Sequence, residues 1–500
     1  MKQYLQKLNK HTFISYASLC LIFYLLSIRL LLIFSYTLDI DGAEFTFVHY
    51  IQQVLSGKPL YLNPYEVPFS ITIYSPLYLM LVAKFCAAFQ INYIYDVHSI
   101  FIVGRLFSFI FSVIGAIFIF KYSVRYLSKS MALFCTSMYL MLLSGHSYAV
   151  RPDSMKIAFF IIFLFYFLDT VIEKNKQSKW LALTFLLLSI ASKQDAFIYI
   201  LLVQWIFVLM YRNKQIILFF LYSLLSIILF FGLFYLIYGK LALDSITLFN
   251  LQVITTFKLN YNYFVIAFNL VRLFPFIALF FFVVVRLKNE KLMFTLAIIG
   301  IIATILSSMS MLRPGSFINY SYELIVISIF LFVLFLKNNI PILNKIKLPI
   351  FFYCLFLFAS NAFMRVNVIY IKNEIQYKEA YYSNYEMRKH VSPIIKEKTL
   401  FNPDLQLSLF FADKNVIFGH EFHLDRTMYA LLGLPCHSKL SHVSSQKYDA
   451  CFNDGTITYM LIKNNKTSNE VMRTYYADYQ SIYFDKNYKL YKRKSTIVSF

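Results

Sequence analysis

The chain has 500 residues, 59% of them hydrophobic and 19% aromatic, with a mean hydropathy of +0.62, more apolar surface than a soluble protein can bury. Repeated apolar runs of about 20 residues make it a polytopic helical membrane protein. The net charge of +22 therefore reads first as cytoplasmic loop charge, and the lack of any basic stretch interleaved with aromatics on a soluble surface argues against nucleic acid as a partner.

Lys2, Lys7 and Lys10 precede the first apolar run. No small-residue cleavage site follows, so the first helix is expected to be retained. Apolar spans are expected at 13–37, 99–120, 131–148, 155–172, 180–192, 196–211, 215–238, 263–285, 292–309, 321–336 and 348–365. Placing the N-terminus in the cytoplasm puts Lys121, Arg125 and Lys129 inside. Lys174 with Lys179, Arg212 with Lys214, Arg286 with Lys291 and Lys337 with Lys347 follow them, all short basic turns as the positive-inside rule requires. The outer connections are then 38–98, 149–154, 193–195, 239–262, 310–320 and the tail after 366. The apolar run Tyr74–Phe89 contains Lys84 and is short for a span, so it reads as an interfacial helix on the outer face. The expected architecture is an all-α polytopic membrane domain, residues 1–366, with about eleven transmembrane helices and a first outer loop at 38–98. A small soluble α/β domain, 367–500, follows where the composition turns polar and short β-like runs such as Asn415–Phe418 and Thr456–Ile462 occur.

Every non-basic polar cluster falls on the same face in this topology. Asp39, Asp41 and Glu44 open the first loop. With Asp41 as N-cap and Glu44 three residues on, they read as a capping box for a helix from Glu44 to Leu55 closed by Gly57. A carboxylate held at a helix N-terminus also suits a general base. Tyr74–Tyr78 contains Pro76 as a helix start. Arg151–Asp153 and Lys193–Asp195 each set a cation and an acid at the depth of Asp41. Plain turn chemistry and a snorkelling arginine explain either pair alone, but a phosphate leaving group needs cations and a sugar needs carboxylate and amide hydrogen bonds. Arg313–Tyr320 combines a cation, Gly315, the Ser316 hydroxyl and Asn319, with Glu323 one turn further. Arg29 and Arg272 lie within apolar spans near their outer ends, where each is either a snorkelling side chain or a phosphate ligand.

Four cysteines (Cys20, Cys86, Cys135, Cys354) lie in or beside apolar runs and read as packing residues. Cys436 and Cys451 in the tail are expected to form a disulfide on the outer side. His420, His423, Cys436, His437 and His442 match no standard zinc spacing, so no metal site is assigned and no cofactor is expected, although a divalent ion is compatible with the chemistry.

In order, these motifs resemble the GT-C superfamily of glycosyltransferases, and within it the protein O-mannosyltransferase and lipid A aminoarabinose transferase group. The features that carry the resemblance are Asp41 with Glu44 early in the first outer loop, Gly57–Tyr61, Pro76–Tyr78, Arg151–Asp153 before a span, Lys193–Gln194 between spans, and Gly315–Tyr320. They cover most of residues 1–325. The chain departs from the aminoarabinose transferases at the helix start, where Ser75–Pro76 replaces a double proline. The resemblance implies a polyprenyl-phosphate-linked sugar donor, a glycan, lipid or protein acceptor, inversion at the anomeric carbon and a site at the outer face of a bacterial inner membrane. Carried onto this sequence, Asp41 and Glu44 are the catalytic candidates. Lys193, Arg151, Arg313 and Arg272 are the cations for the donor phosphate, and Asp153, Gln194, Tyr78, Ser316 and Asn319 contact substrate. A transporter or lipid flippase would instead need polar residues along a path to the midplane and two related halves, which the sequence does not show. A surface polysaccharide polymerase or ligase would also use the outer face.

Overall fold

The computed structural model describes residues 10–37, 40, 43–63, 72–143, 148–172, 175–247, 263–312, 318–338, 373–395, 399–402, 405–414, 416–418, 457–463, 478–484 and 487–494. Its helices are α1 (Lys10–Ile33), α2 (Glu44–Leu55), α3 (Leu77–Ala88), α4 (Val97–Val124), α5 (Lys129–Leu142), α6 (Asp153–Ile172), α7 (Lys176–Ser192) and α8 (Ala196–Tyr211). They continue with α9 (Lys214–Ile246), α10 (Tyr263–Arg286), α11 (Lys291–Met311), α12 (Tyr322–Asn338) and α13 (Glu374–Ile395). Ten of the expected spans fall on α1 and α4–α12, and the last, 348–365, lies outside the described residues. Seven of the helices are long and apolar enough to cross a membrane, and the chain is an integral membrane protein.

Local chemistry sets several boundaries as read from the sequence. Pro76 stands at the N-cap of α3, where a missing N–H costs nothing. Gly57, at φ +79°, turns the chain after α2. The side chains of Asn175 and Asn213 accept from the amides of Gln177 and Gln215 and cap α7 and α9. Gly239, at φ +81°, breaks α9 at the end of its expected span. α2 starts at Glu44 itself, after Ala43 at the N-cap, and Asp41 of the expected capping box lies outside the described residues.

The bundle core is built from α4–α8 and α10–α12, with α12 sheathed almost entirely. A second apolar cluster joins the first-loop helices α2 and α3 and the start of α4 to the tail. In the tail, β1 (Leu400–Asn402), β2 (Val416–Phe418), β3 (Tyr459–Lys463), β4 (Tyr479–Phe484) and β5 (Tyr488–Arg493) form one sheet in the order β2-β1-β3-β5-β4. β1 runs parallel to β2 and β3, and β5 pairs antiparallel with β3 and β4. Tyr488 and Leu490 of β5 are buried while Lys489 and Tyr491 on the other face are partly exposed, the alternation of a half-covered strand. The Gln52 side-chain amide donates to Leu409 O at 2.8 Å and Tyr93 O at 2.6 Å, tying α2 to the tail. Cys436 and Cys451 and the tail histidines from His420 to His442 lie outside the described residues.

Candidate functional site

The first loop is anchored by a buried ion pair. Glu44 and Arg105, from the middle of α4, are both fully enclosed. Arg105 donates Nε to Glu44 Oε1 at 2.9 Å and Nη2 to Oε2 at 2.8 Å, a bidentate fork. Its other donors reach Ser35 O (3.1 Å) and Thr37 O (2.6 Å) at the end of the first span. Glu44 also accepts from Ile40 N and Val150 N, each at 2.7 Å. One carboxylate therefore clamps three stretches: the end of α1, the acidic loop and the segment leading to Arg151. Glu44 was expected to be catalytic. With both oxygens held by four donors and no exposure, its task is to position the loop. Asp41 itself lies outside the described residues; its neighbour Ile40 packs with Leu32, Tyr148 and Ala149.

Beside this anchor, the polar turns between spans meet. Asp153, the first residue of α6, is fully buried and accepts from three groups. Lys193 Nζ reaches its Oδ1 at 2.9 Å, Asn319 Nδ2 the same oxygen at 3.0 Å, and Arg151 Nε its Oδ2 at 3.0 Å. Lys193 lies 3.7 Å from Asp195, which Lys156 of α6 approaches at 3.3 Å, and Lys156 pairs with Glu323 of α12 at 2.6 Å. The six groups form an alternating row, Arg151, Asp153, Lys193, Asp195, Lys156, Glu323, of three cations and three anions. Burial alone would lower the Lys193 pKa, but the charges of Asp153 and Asp195 outweigh it and raise it, so the ammonium stays charged. Aromatic faces line the row: Arg151 lies 5.6 Å from the Phe47 ring centre and Lys193 5.0 Å from that of Tyr320.

Not every oxygen here is satisfied. Asn319 Oδ1, Asp195 Oδ1 and Glu323 Oε2 are buried and take no hydrogen bond from the described residues. Buried acceptors without donors are costly.

The remaining expected residues divide. Gln194 bridges elements: its Nε2 donates to Ile73 O at 2.7 Å and its Oε1 accepts from Ser75 N at 3.1 Å. It thus holds the turn before α3 against the row. Arg272 of α10 donates to Asn269 Oδ1 at 3.1 Å and Ser321 Oγ at 2.9 Å, two residues from Asn319. Tyr78 was expected to contact substrate. It is fully buried, and its hydroxyl donates to Gly104 O at 2.8 Å and meets Ser108 Oγ at 3.1 Å, so it packs α3 against α4. Arg313 and Ser316 lie outside the described residues. Arg105, Lys156 and Glu323 are functional neighbours that the sequence reading passed over or only touched. The available signal was the rule that a charge inside a span needs a partner.

Among the described residues no group of three His, Cys, Asp or Glu side chains is arranged to hold a metal ion. The acids of the row do not fit a resident divalent cation, because each faces a lysine or arginine where a metal would have to sit.

No family model and no curated protein matches the chain in sequence. Solved structures do match in fold. ArnT, the lipid A aminoarabinose transferase, from Cupriavidus metallidurans, in a crystal structure bound to undecaprenyl phosphate, aligns with a TM-score of 0.60 at 8% identity, covering 96% of this chain and 98% of that one. Its apo structure aligns at 0.57 and 9% identity, covering 95% and 97%. The oligosaccharyltransferase of Archaeoglobus fulgidus in its apo form aligns at 0.52 and 11% identity, covering 90% of this chain and 70% of that one. The chain therefore has the GT-C fold along nearly its whole length.

Proposed function

We propose that the chain is a membrane glycosyltransferase that moves a sugar from a polyprenyl-phosphate donor to an acceptor hydroxyl, with inversion, at the outer face of a bacterial inner membrane. The observation that carries this reading is the convergence of Arg151, Asp153, Lys193, Gln194 and Asn319, from three separate turns, beside the loop that Glu44 anchors. The GT-C fold supports it, as does the polyprenyl phosphate bound to ArnT, which fold similarity extends to this chain only as a proposal.

In this reading the acceptor hydroxyl attacks C1 of the sugar. The bond from C1 to the phosphate oxygen breaks, and Asp41 accepts the hydroxyl proton. Negative charge gathers on the departing polyprenyl phosphate and is met by cations. The row is already balanced, three charges against three, so a phosphate there must share Lys193 or Arg151 with Asp153. Arg272, which donates to Asn269 and Ser321, and Arg313 are proposed as further cations for that phosphate. Asp153, Gln194, Asn319 and Ser316 would hold the sugar, with the open acceptor oxygens taking its hydroxyl protons. The N-terminus is placed in the cytoplasm and the tail outside.

The test is transfer of label from a radiolabelled polyprenyl-phosphate sugar in membranes holding the protein. Asp41→Asn keeps the size of the side chain and removes only its charge, so it should leave protein levels and donor binding intact. It should cut transfer by about 10²–10⁴-fold, the usual size of general-base help. Transfer at the wild-type rate in Asp41→Asn would overturn the catalytic assignment.

A further inference from the structure

One turn of α4 grips the segment that carries Arg151. Val150 and Arg151 are held there at three points. The Val150 amide donates to Glu44 Oε1 at 2.7 Å, and Glu44 is itself forked by Arg105 of α4. The Ser108 hydroxyl, one turn further along α4 than Gly104, donates to Arg151 O at 3.0 Å. The Val150 side chain lies against Gly104, where a Cβ would stand 2.6 and 3.1 Å from its two methyls and 3.3 Å from its own Cβ. Ordinary carbon contacts lie at about 3.5–4.0 Å, so a side chain at 104 pushes the segment away from α4. Rotating Val150 would move its methyls but not its Cβ, and a β-branched side chain has few rotamers to offer. Tyr78 of α3 braces the same turn, its hydroxyl donating to Gly104 O and meeting Ser108 Oγ. Gly104, Arg105, Ser108 and Val150 are all buried, so the seat cannot relax into solvent. Beyond the backbone, the Arg151 guanidinium is steered by Asp153 at 3.0 Å and by the Phe47 ring. The cation is thus pre-set, as a group that must meet a reacting phosphate to within about 0.5 Å needs to be.

We propose that Gly104 and Ser108 are positioning residues for sugar transfer. Gly104, by its missing Cβ, and Ser108, by its hydroxyl, seat the Val150–Arg151 backbone so that Arg151 meets the charge gathering on the departing phosphate. The inference rests on the transfer reaction proposed above for its purpose, whereas the seat itself is a property of the fold and is measured without a donor. Both residues act through Arg151. Charge on the phosphate grows as its bond to C1 breaks, so displacing Arg151 costs more in the transition state than in the donor complex. The loss should therefore fall on kcat and leave KM for the donor nearly unchanged.

The test uses the full-length protein in nanodiscs. Hydrogen exchange of the peptide spanning 148–152, read by mass spectrometry with no donor present, reports the seat. Transfer of label from a radiolabelled polyprenyl-phosphate sugar, per folded protein, reports the cation. Gly104→Ala should speed exchange in that peptide and lower kcat by about 10–100-fold. Ser108→Ala introduces no clash, so it keeps the idea open to test if Gly104→Ala does not accumulate. It should act in the same direction on a smaller scale, about 3–10-fold in kcat. Gly104→Ala combined with Val150→Ala takes both methyls out of the way and should recover most of the lost kcat. Gly115→Ala is the control on the same helix, because its Cβ would press on Tyr139 and Ile161 and not on the Arg151 segment. It should lower the thermal midpoint and leave kcat and the 148–152 exchange as they are. Gly104→Ala and Ser108→Ala proteins that lose only thermal midpoint, as Gly115→Ala does, overturn the proposal. So does a double variant no more active than Gly104→Ala. Wild-type protein that transfers no sugar sinks the transfer reaction itself, and the exchange rates of the two variants then still decide whether the seat exists.

Discussion

Two buried ionic sites lie side by side at one end of the bundle, and they are built on opposite rules. At Glu44 and Arg105 every strong donor meets an acceptor, and both side chains are fully enclosed. In the row from Arg151 to Glu323 the charges balance, yet three acceptor oxygens take no donor from the described residues and the Asp195 side chain keeps 23% exposure. A closed and satisfied pair fixes geometry, because any movement breaks several charge-assisted bonds at once. An open row with orphan acceptors has a cost that a ligand relieves. The difference separates the residue that holds the loop from those proposed to meet the substrate, although both sets are carboxylates and cations.

The largest expected effect tests the closed site. Arg105→Met leaves an enclosed carboxylate without its partner, which costs about 3–5 kcal/mol. The thermal midpoint of the purified protein should fall steeply, and Glu44→Leu combined with Arg105→Met should recover part of the loss, because the stranded charge is gone. Lys193→Met probes the open row. Asp153 keeps Arg151 and Asn319, so the stability cost should be about 1–3 kcal/mol, while affinity for polyprenyl phosphate, measured by calorimetry, should drop by about 10-fold or more. Glu323→Gln should do less to both, since Lys156 keeps Asp195. If Lys193→Met destabilises as much as Arg105→Met and leaves lipid binding untouched, the row is structural too and the contrast collapses.

Much of this arrangement was legible from sequence, for physical reasons that differ by residue. Pro76, Gly57 and the caps Asn175 and Asn213 act through their nearest neighbours, so a few letters suffice to place them. The clustering of Arg151–Asp153, Lys193–Gln194 and Asn319 followed from alternating the spans, because topology alone puts these turns on one face. What topology could not supply is who pairs with whom. Arg105 contacts Glu44 from 61 positions away and Lys156 meets Glu323 across 167, and each reads locally as one cation in an apolar run. Glu44 shows the same limit: local spacing offers it a helix N-terminus, while its guanidinium partner, Arg105, lies far along the chain.

The smallest effect belongs to the junction of α2 and the tail, and its sign follows from two depressed pKa values in separate windows. His49 is lowered from 6.5 to about 4 by burial and then by Lys58. Between these values the unfolded chain binds a proton that the folded chain refuses, so stability falls as pH drops from about 6.5 towards 4. Asp413 differs. Burial raises its pKa, but the hydrogen bonds and charge of Arg388 overcome this and hold it below its ordinary 3.8. Its contribution is intact above 3.8 and is lost only as pH falls through the lower folded value. Acidification from pH 7 to 4.5 should therefore lower the thermal midpoint through His49 and through His98, whose pKa burial and then the charge of Arg105 likewise lower to about 4, on the order of a few °C. His49→Gln should flatten part of that slope and leave the loss below pH 3.8 in place, whereas Asp413→Asn should do the reverse. An unchanged slope between pH 6.5 and 4.5 in His49→Gln would mean that His49 is not the titrating group at this junction.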